Sequence, residues 1–98
     1  MVWSWLQSLS PRRTLPNWDV LMYTRPGCHL CEEAWIQLEA MRQQYGFVLR
    51  SINVDDNPQL TGEYGECVPV VVINGRVRFR GIINPVLLKR LLDSGKDV

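Results

Sequence analysis

Hydrophobic and polar positions along this chain follow two periods, and the switches between them mark its elements. Val20 to Thr24 (VLMYT) is a short apolar, β-prone run that stops at Arg25-Pro26-Gly27. From about Cys28 to Tyr45 the period becomes helical. Ala34, Leu38 and Met41 fall on one stripe, joined by Cys31, Trp35 and Tyr45, and Gly46 suits the position just past a helix end. Phe47 to Val54 reads as a second strand, with Phe47 and Leu49 apolar and, after a slip of phase, Ile52 and Val54. Asp55-Asp56-Asn57-Pro58 is a turn that opens a short helix. Asn57 can cap it, Pro58 fits its first position, and Gly65 closes it after Tyr64.

Val68 to Ile73 is a continuous, mostly β-branched run, the pattern of a strand buried on both faces. Asn74-Gly75 is a strong hairpin-turn dipeptide. Arg76 to Arg80 (RVRFR) then alternates strictly, which predicts a half-exposed strand with Arg76, Arg78 and Arg80 on one face. Such a stripe deters pairing of an edge strand; the alternative is a docking stripe for an acidic partner. Gly81 breaks the strand. Pro85 opens a last helix, with Leu87, Leu88, Leu91 and Leu92 facing the core and Gly95 ending it. The predicted order is β-α-β-α-β-β-α, an α/β chain with no internal repeat and no linker.

Residues 1–18 have a different texture. They hold three of the four tryptophans, with Pro11 and Pro16. Trp3, Leu6 and Leu9 recur every third position, too briefly for a helix stable on its own. The expectation is a leader docked on a domain spanning residues 19–95; the alternative is a partner or membrane-surface contact through the tryptophans.

Composition narrows the class. A chain of 98 residues, 46% hydrophobic and 21% charged, suits one globular domain and excludes disordered, collagenous and low-complexity proteins. The net charge of +1 gives no whole-chain basic field of a nucleic-acid binder. No apolar run approaches the roughly 20 residues of a membrane span. Arg12 and Arg13 follow the apolar leader residues rather than precede them, unlike a secretory signal. The expectation is a soluble, monomeric, cytoplasmic protein. In that compartment closely spaced cysteines serve catalysis or metal binding more often than structure.

Cys28-His29-Leu30-Cys31 lies where a strand ends and a helix begins. Residues three apart in a first helical turn share a side, and a modest adjustment brings two sulfurs to bonding distance. Cys28 would face unpaired backbone N–H groups and the positive end of the helix dipole, which stabilise a thiolate. Its pKa is expected to fall into the range of roughly 3.5–7.5 found for such cysteines. Arg25 adds positive charge nearby, and His29 is a second candidate for tuning the pair. Glu32 and Glu33 favour the helix dipole and oppose the thiolate slightly. The thiolate attacks disulfides, so Cys28 reads as the nucleophile and Cys31 as the thiol that resolves the mixed disulfide. A zinc half-site is the alternative, yet metal sites usually need a second such pair or histidines, and the chain has one histidine, His29, and one further cysteine, Cys67.

The run Tyr23-Thr24-Arg25-Pro26-Gly27-Cys28-His29-Leu30-Cys31 resembles the active-site segment of the glutaredoxin-like branch of the thioredoxin superfamily. Asn53-Val54-Asp55-Asp56-Asn57-Pro58, Tyr64-Gly65, Val68-Pro69 and Asn74-Gly75 resemble thioredoxin at similar spacings, over residues 19–95 in all. The resemblance implies a thioredoxin-like, glutaredoxin-type fold: a four-stranded mixed sheet with helices on both faces. It implies a cis Val68–Pro69 bond beside the cysteine pair, with Val68 and Pro69 shaping the substrate groove. It further implies a thiol–disulfide oxidoreductase that acts on disulfide-bonded proteins or glutathione mixed disulfides. Such an enzyme needs a thiol reductant or reductase as partner and no prosthetic group, with glutathione as a candidate co-substrate. Cys67-Val68-Pro69 stands where glutaredoxins usually have Thr-Val-Pro, and Gly81-Ile82-Ile83 where they have a Gly-Gly pair. Cys67 reads as a small core cysteine, a third redox thiol or a metal ligand. Two further classes remain: a zinc or iron–sulfur module built on Cys28, Cys31 and Cys67, and a non-catalytic interaction domain.

Overall fold

The computed structural model describes residues 14–96. Its elements follow the predicted order: β1 (Asp19–Thr24), α1 (His29–Tyr45), β2 (Val48–Asn53), a 3₁₀ turn (Val54–Asp56), α2 (Pro58–Tyr64), β3 (Val70–Ile73), β4 (Arg76–Arg80) and α3 (Pro85–Ser94). Local chemistry sets the helix ends. Asn57 Oδ1 accepts from the Gln59 N–H at 2.9 Å and Asn84 Oδ1 from the Val86 N–H at 2.9 Å, each just before a proline at the first helical position. Gly46 closes α1 at φ 78°, a left-handed value that costs glycine little, and its N–H reaches the Arg42 carbonyl.

The strands form one mixed sheet in the order β2-β1-β3-β4. β1 runs parallel to β2, with Asp19 opposite Val48 and Thr24 opposite Asn53, and antiparallel to β3, with Tyr23 opposite Val70. The sheet therefore brings the carboxyl ends of β1 and β2 and the start of β3 to one end of the molecule. Val20, Met22, Val71 and Ile73 turn to one face, where Ala34, Leu38 and Tyr45 of α1 and Leu88 and Leu92 of α3 complete the core. Each fully buried Leu or Val here contributes roughly 1.5–3 kcal/mol. On the other face α2 lays Tyr64 on Tyr23, ring centroids 4.6 Å apart and nearly parallel.

Two details differ from the sequence reading. The arginine stripe does not form. A bulge between Val71 and Val72 leaves Arg76 opposite Ile73 but Arg80 opposite Val70, residues of opposite sheet faces. One extra residue in a strand inverts the side-chain phase beyond it, so Arg80 lies over the Tyr64 ring at 5.7 Å, on the α2 face, and no single-faced docking stripe exists. Leu87 is half exposed, because only Leu88 and Leu92, one turn apart, point squarely inward, with Leu91 beside them. The residues just before β1 pack against the core. Leu15 is buried in the core and donates its N–H to the Tyr45 carbonyl at 2.7 Å, and the Trp18 carbonyl accepts from Val48 at 2.9 Å. Trp3, Trp5, Leu6 and Leu9 lie outside the described residues. Among the described residues no helix is long and apolar enough to cross a membrane.

Candidate functional site

Cys28 is the residue that opens α1. Its backbone is extended, φ −92° and ψ 105°, and it occupies the N-cap position. Its Sγ accepts the Cys31 N–H at 3.1 Å, the bond a Ser or Asp side chain makes at other caps. The chain thus spends one of the unpaired first-turn N–H groups of a 17-residue helix on a sulfur. Cys28 and Cys31 are joined as a disulfide, Cα atoms 5.2 Å apart. Cys28 is part-exposed, while Cys31 sits in the core at 3% exposure. That asymmetry suits an attacking sulfur at the surface and a resolving sulfur behind it. In the reduced state the same N–H and the helix N-terminus favour the Cys28 thiolate.

The cysteines line a groove of about 520 Å³ together with Arg25, Pro26, Glu32, Trp35, Ile36 and Ser51. The Val68–Pro69 bond is cis, and Val68 packs on the same core cluster that holds Cys31. Gly81, at φ 79°, donates its N–H to the Pro69 carbonyl at 2.8 Å and lies within 3.1 Å of the Cys67 carbonyl. Next to it a smaller cleft of about 280 Å³ runs between Leu30, Glu33 and Ile82. Leu30 is 42% exposed and Ile82 75%. Large apolar side chains therefore stand open at this end of the sheet.

The other candidates fall into place differently. The Arg25 guanidinium reaches Asp55, with Nε 3.0 Å and 3.2 Å from the two carboxylate oxygens and Nη2 3.0 Å from one of them, and Nη1 donates to the Gly65 carbonyl at 2.9 Å. His29 is the first helical residue, 81% exposed, with Nε2 3.3 Å from Glu33 and Nδ1 3.9 Å from Glu32. Cys67 is a part-buried free thiol whose N–H reaches the Tyr64 carbonyl at 2.8 Å. Among the described residues no three His, Cys, Asp or Glu side chains gather as a metal-ligand group, so Cys67 and His29 do not join the pair in one. The sequence reading does not single out Asp55, Trp35 or Ile36 for this end of the molecule. Asp55 carried only a turn signal, and an exposed apolar residue looks in sequence like any core residue.

Comparison with known proteins agrees with this geometry. The sequence profile of the glutaredoxin-like domain (DUF836) matches residues 19–93. Uncharacterised proteins of Mycobacterium tuberculosis and Mycobacterium bovis are each 37% identical over 63 residues, 59% of this chain and 65% of theirs. Protein Ne2328 of Nitrosomonas europaea superposes with a TM-score of 0.68 at 26% identity, over 83% of this chain and 98% of its own. A structural-genomics target from X. campestris gives 0.62 at 29% identity, over 76% and 96%. A mutant thioredoxin of Halobacterium salinarum gives 0.63 at 23% identity, over 84% and 77%, and speaks for the fold alone: thioredoxin-like, with helices on both faces of a four-stranded mixed sheet.

Proposed function

The chain belongs to the glutaredoxin-like domain family, and from that premise we propose that it is a thiol–disulfide oxidoreductase working by dithiol exchange. The observation that carries the reading is the Cys28–Cys31 disulfide with Cys28 as the cap of α1. In the reduced protein the Cys28 thiolate attacks a substrate disulfide. A Cys28–substrate S–S bond forms, the substrate bond breaks, and the departing thiolate takes a proton from water. Cys31, deprotonated, then attacks Cys28 Sγ and releases the second substrate thiolate. Two electrons have moved from the pair to the substrate, and an external thiol reductant restores the dithiol.

Disulfide-bonded proteins fit this site as substrates. Ile36 lines the groove with both cysteines and is exposed, and Leu30 stands between them in sequence, so both offer apolar contact. Glutathione mixed disulfides are the second substrate class, although the Arg25 guanidinium in the groove already faces Asp55. The proposal includes a monomer that needs no prosthetic group and works in the cytoplasm, where thiol reductants reset such pairs.

The test is the reduction potential of the pair, from equilibration in glutathione buffers with trapped thiols weighed by mass spectrometry. A reversible two-electron couple in the span of roughly −270 to −200 mV, from thioredoxin to glutaredoxins, is expected on metal-free protein. A pair that does not cycle, or cycles only after metal is stripped, overturns the reading.

A further inference from the structure

The guanidinium of Arg25 lies three residues before the nucleophile, yet its donors are turned to other parts of the chain. Asp55 holds Nε and Nη2, and the Gly65 carbonyl holds Nη1. Those two partners come from the 3₁₀ turn after β2 and from the end of α2, 30 and 40 residues away in sequence. Gly65 leads directly into Glu66-Cys67-Val68-Pro69, and Gly81 holds the far end of that segment through the Pro69 carbonyl. The buried Gly65 has no room for a side chain: a Cβ there would stand 2.5 Å from the Thr61 carbonyl oxygen and 3.3 Å from Arg25 Nη1. The absence of that Cβ is what lets the guanidinium reach the Gly65 carbonyl. A planar fork making bonds on two sides at once is the geometry that arginine supplies and lysine does not.

We propose that Arg25 is a positioning residue: it locks the loop before Cys28 to the loop that carries Val68 and Pro69, and so sets how far apart the two loops stand when a folded substrate docks on both. It acts through Gly65 and Asp55, not as a cation on the Cys28 thiolate, because the Asp55 carboxylate matches its charge at 3.0 Å. Removing the lock lets the two loops drift apart by fractions of an ångström. Displacements of that size cost an exchange reaction heavily when the partner is a folded disulfide that must touch both loops. This inference rests on the oxidoreductase reading and adds how the site is held.

The experiment compares wild type, Arg25→Ala, Arg25→Lys and Asp55→Asn in dithiothreitol-driven reduction of insulin, beside the pH profile of Cys28 alkylation by iodoacetamide. The expected result is a KM for insulin raised roughly tenfold in Arg25→Ala, matched in Asp55→Asn and only partly relieved in Arg25→Lys, with kcat nearly kept. In the double variant Arg25→Ala/Asp55→Asn, which removes the cation and its carboxylate together, the midpoint of the alkylation profile stays in place. The Cys67 amide, which bonds the Tyr64 carbonyl, exchanges its hydrogen faster in Arg25→Ala. An alkylation midpoint that moves up in that double variant, or full rescue by lysine, overturns the inference and makes Arg25 a charge acting on the thiolate. An unchanged KM in Arg25→Ala also overturns it while the oxidoreductase reading stands. Wild-type protein that fails to reduce insulin and shows no reversible couple overturns both.

Discussion

The two ends of the sheet use the same polar groups for opposite purposes. At the end where β1 begins, hydrogen bonds close the structure. Asn74, in the tight turn at φ 52°, accepts the Asp19 N–H on its side chain at 2.9 Å and donates its own N–H to the Asp19 carbonyl at 2.8 Å. Tyr45 drops its ring into the core at 1% exposure and donates its hydroxyl to Asp93, while Lys89 Nζ reaches that hydroxyl at 3.3 Å. Leu15 covers the same corner. At the other end the bonds run between loops and leave a space. Arg25 spans to Asp55 and Gly65, Gly81 spans to Pro69, and Cys28 caps its helix with the sulfur itself. Leu30, Ile36 and Ile82 stay exposed there. One end seals apolar surface beneath a polar knot; the other braces its loops so that a sulfur and apolar side chains face outward. The closed polar corner and the exposed sulfur thus lie at opposite ends of the strands.

The sharpest way to break that comparison is to remove the nucleophile. Cys28→Ser is expected to bring insulin reduction down to the rate of the buffer thiol. A serine oxygen caps helices well, so the variant should unfold within about 0.5 kcal/mol of the reduced wild type, as surface substitutions generally do. Urea unfolding of both proteins under reducing conditions checks the second half. Cys31→Ser keeps the first chemical step and loses the second, so a mixed disulfide between Cys28 and insulin should accumulate and be visible by mass spectrometry. A Cys28→Ser protein that still reduces insulin, or one that is grossly unstable, would mean that chemistry and stability are not separated as the fold suggests.

How far the sequence revealed this division depends on the range of the interactions. Short-range chemistry was legible. The cap at Asn57, the prolines that open α2 and α3, the glycines past α1 and α3, and the Asn74-Gly75 turn all lie where residue chemistry puts them, because each acts within a few positions. The cysteine pair belongs to the same class, since its spacing and its helix start are local. Three features were illegible for a common reason. The bulge that separates Arg76 from Arg80 is a matter of strand register, which alternation alone does not report. The exposure of Leu87 depends on where α3 lies against the sheet. The bonds from Arg25 to Asp55 and Gly65 span 30 and 40 residues and exist only after the sheet has assembled. The cysteine pair was therefore visible in the sequence and the bracing around it was not.

A smaller effect is expected at the closed end. Tyr45→Phe removes a hydroxyl bonded to Asp93 and Lys89, and should cost about 1 kcal/mol of stability at neutral pH, the usual net worth of such a bond. It should leave insulin reduction within experimental error, because the hydroxyl lies at the far end of the strands. Burial, and then the bond to Asp93, push the Tyr45 phenol above its ordinary value. The folded state therefore holds the phenolic proton more tightly than the unfolded state does. That contribution is complete below the unfolded value of about 10 and is lost as pH rises from there through the folded value. The stability gap between wild type and Tyr45→Phe should narrow above that pH in urea titrations. A gap that widens instead would show that the hydroxyl bonds are not what holds this corner.

The smallest effect concerns His29, the residue beside the nucleophile whose chemistry invites the largest role. The imidazole is 81% exposed and flanked by Glu32 and Glu33 at 3.9 Å and 3.3 Å. When protonated, it offsets two carboxylates more than it presents a free charge to Cys28. Removing it in His29→Ala leaves those carboxylates unmatched and disfavours the thiolate. The reduced form loses a little stability, so the potential should shift to more negative values. Exposed pairs of this kind are weak and screened by salt, so the shift should be on the order of 10 mV, against roughly 30 mV for a tenfold change in the equilibrium constant. It should fade as salt is raised. A shift of several tens of millivolts that survives high salt would mean that His29 acts on the sulfur directly, and that the open end of the sheet is tuned by a side chain as well as by the helix that Cys28 caps.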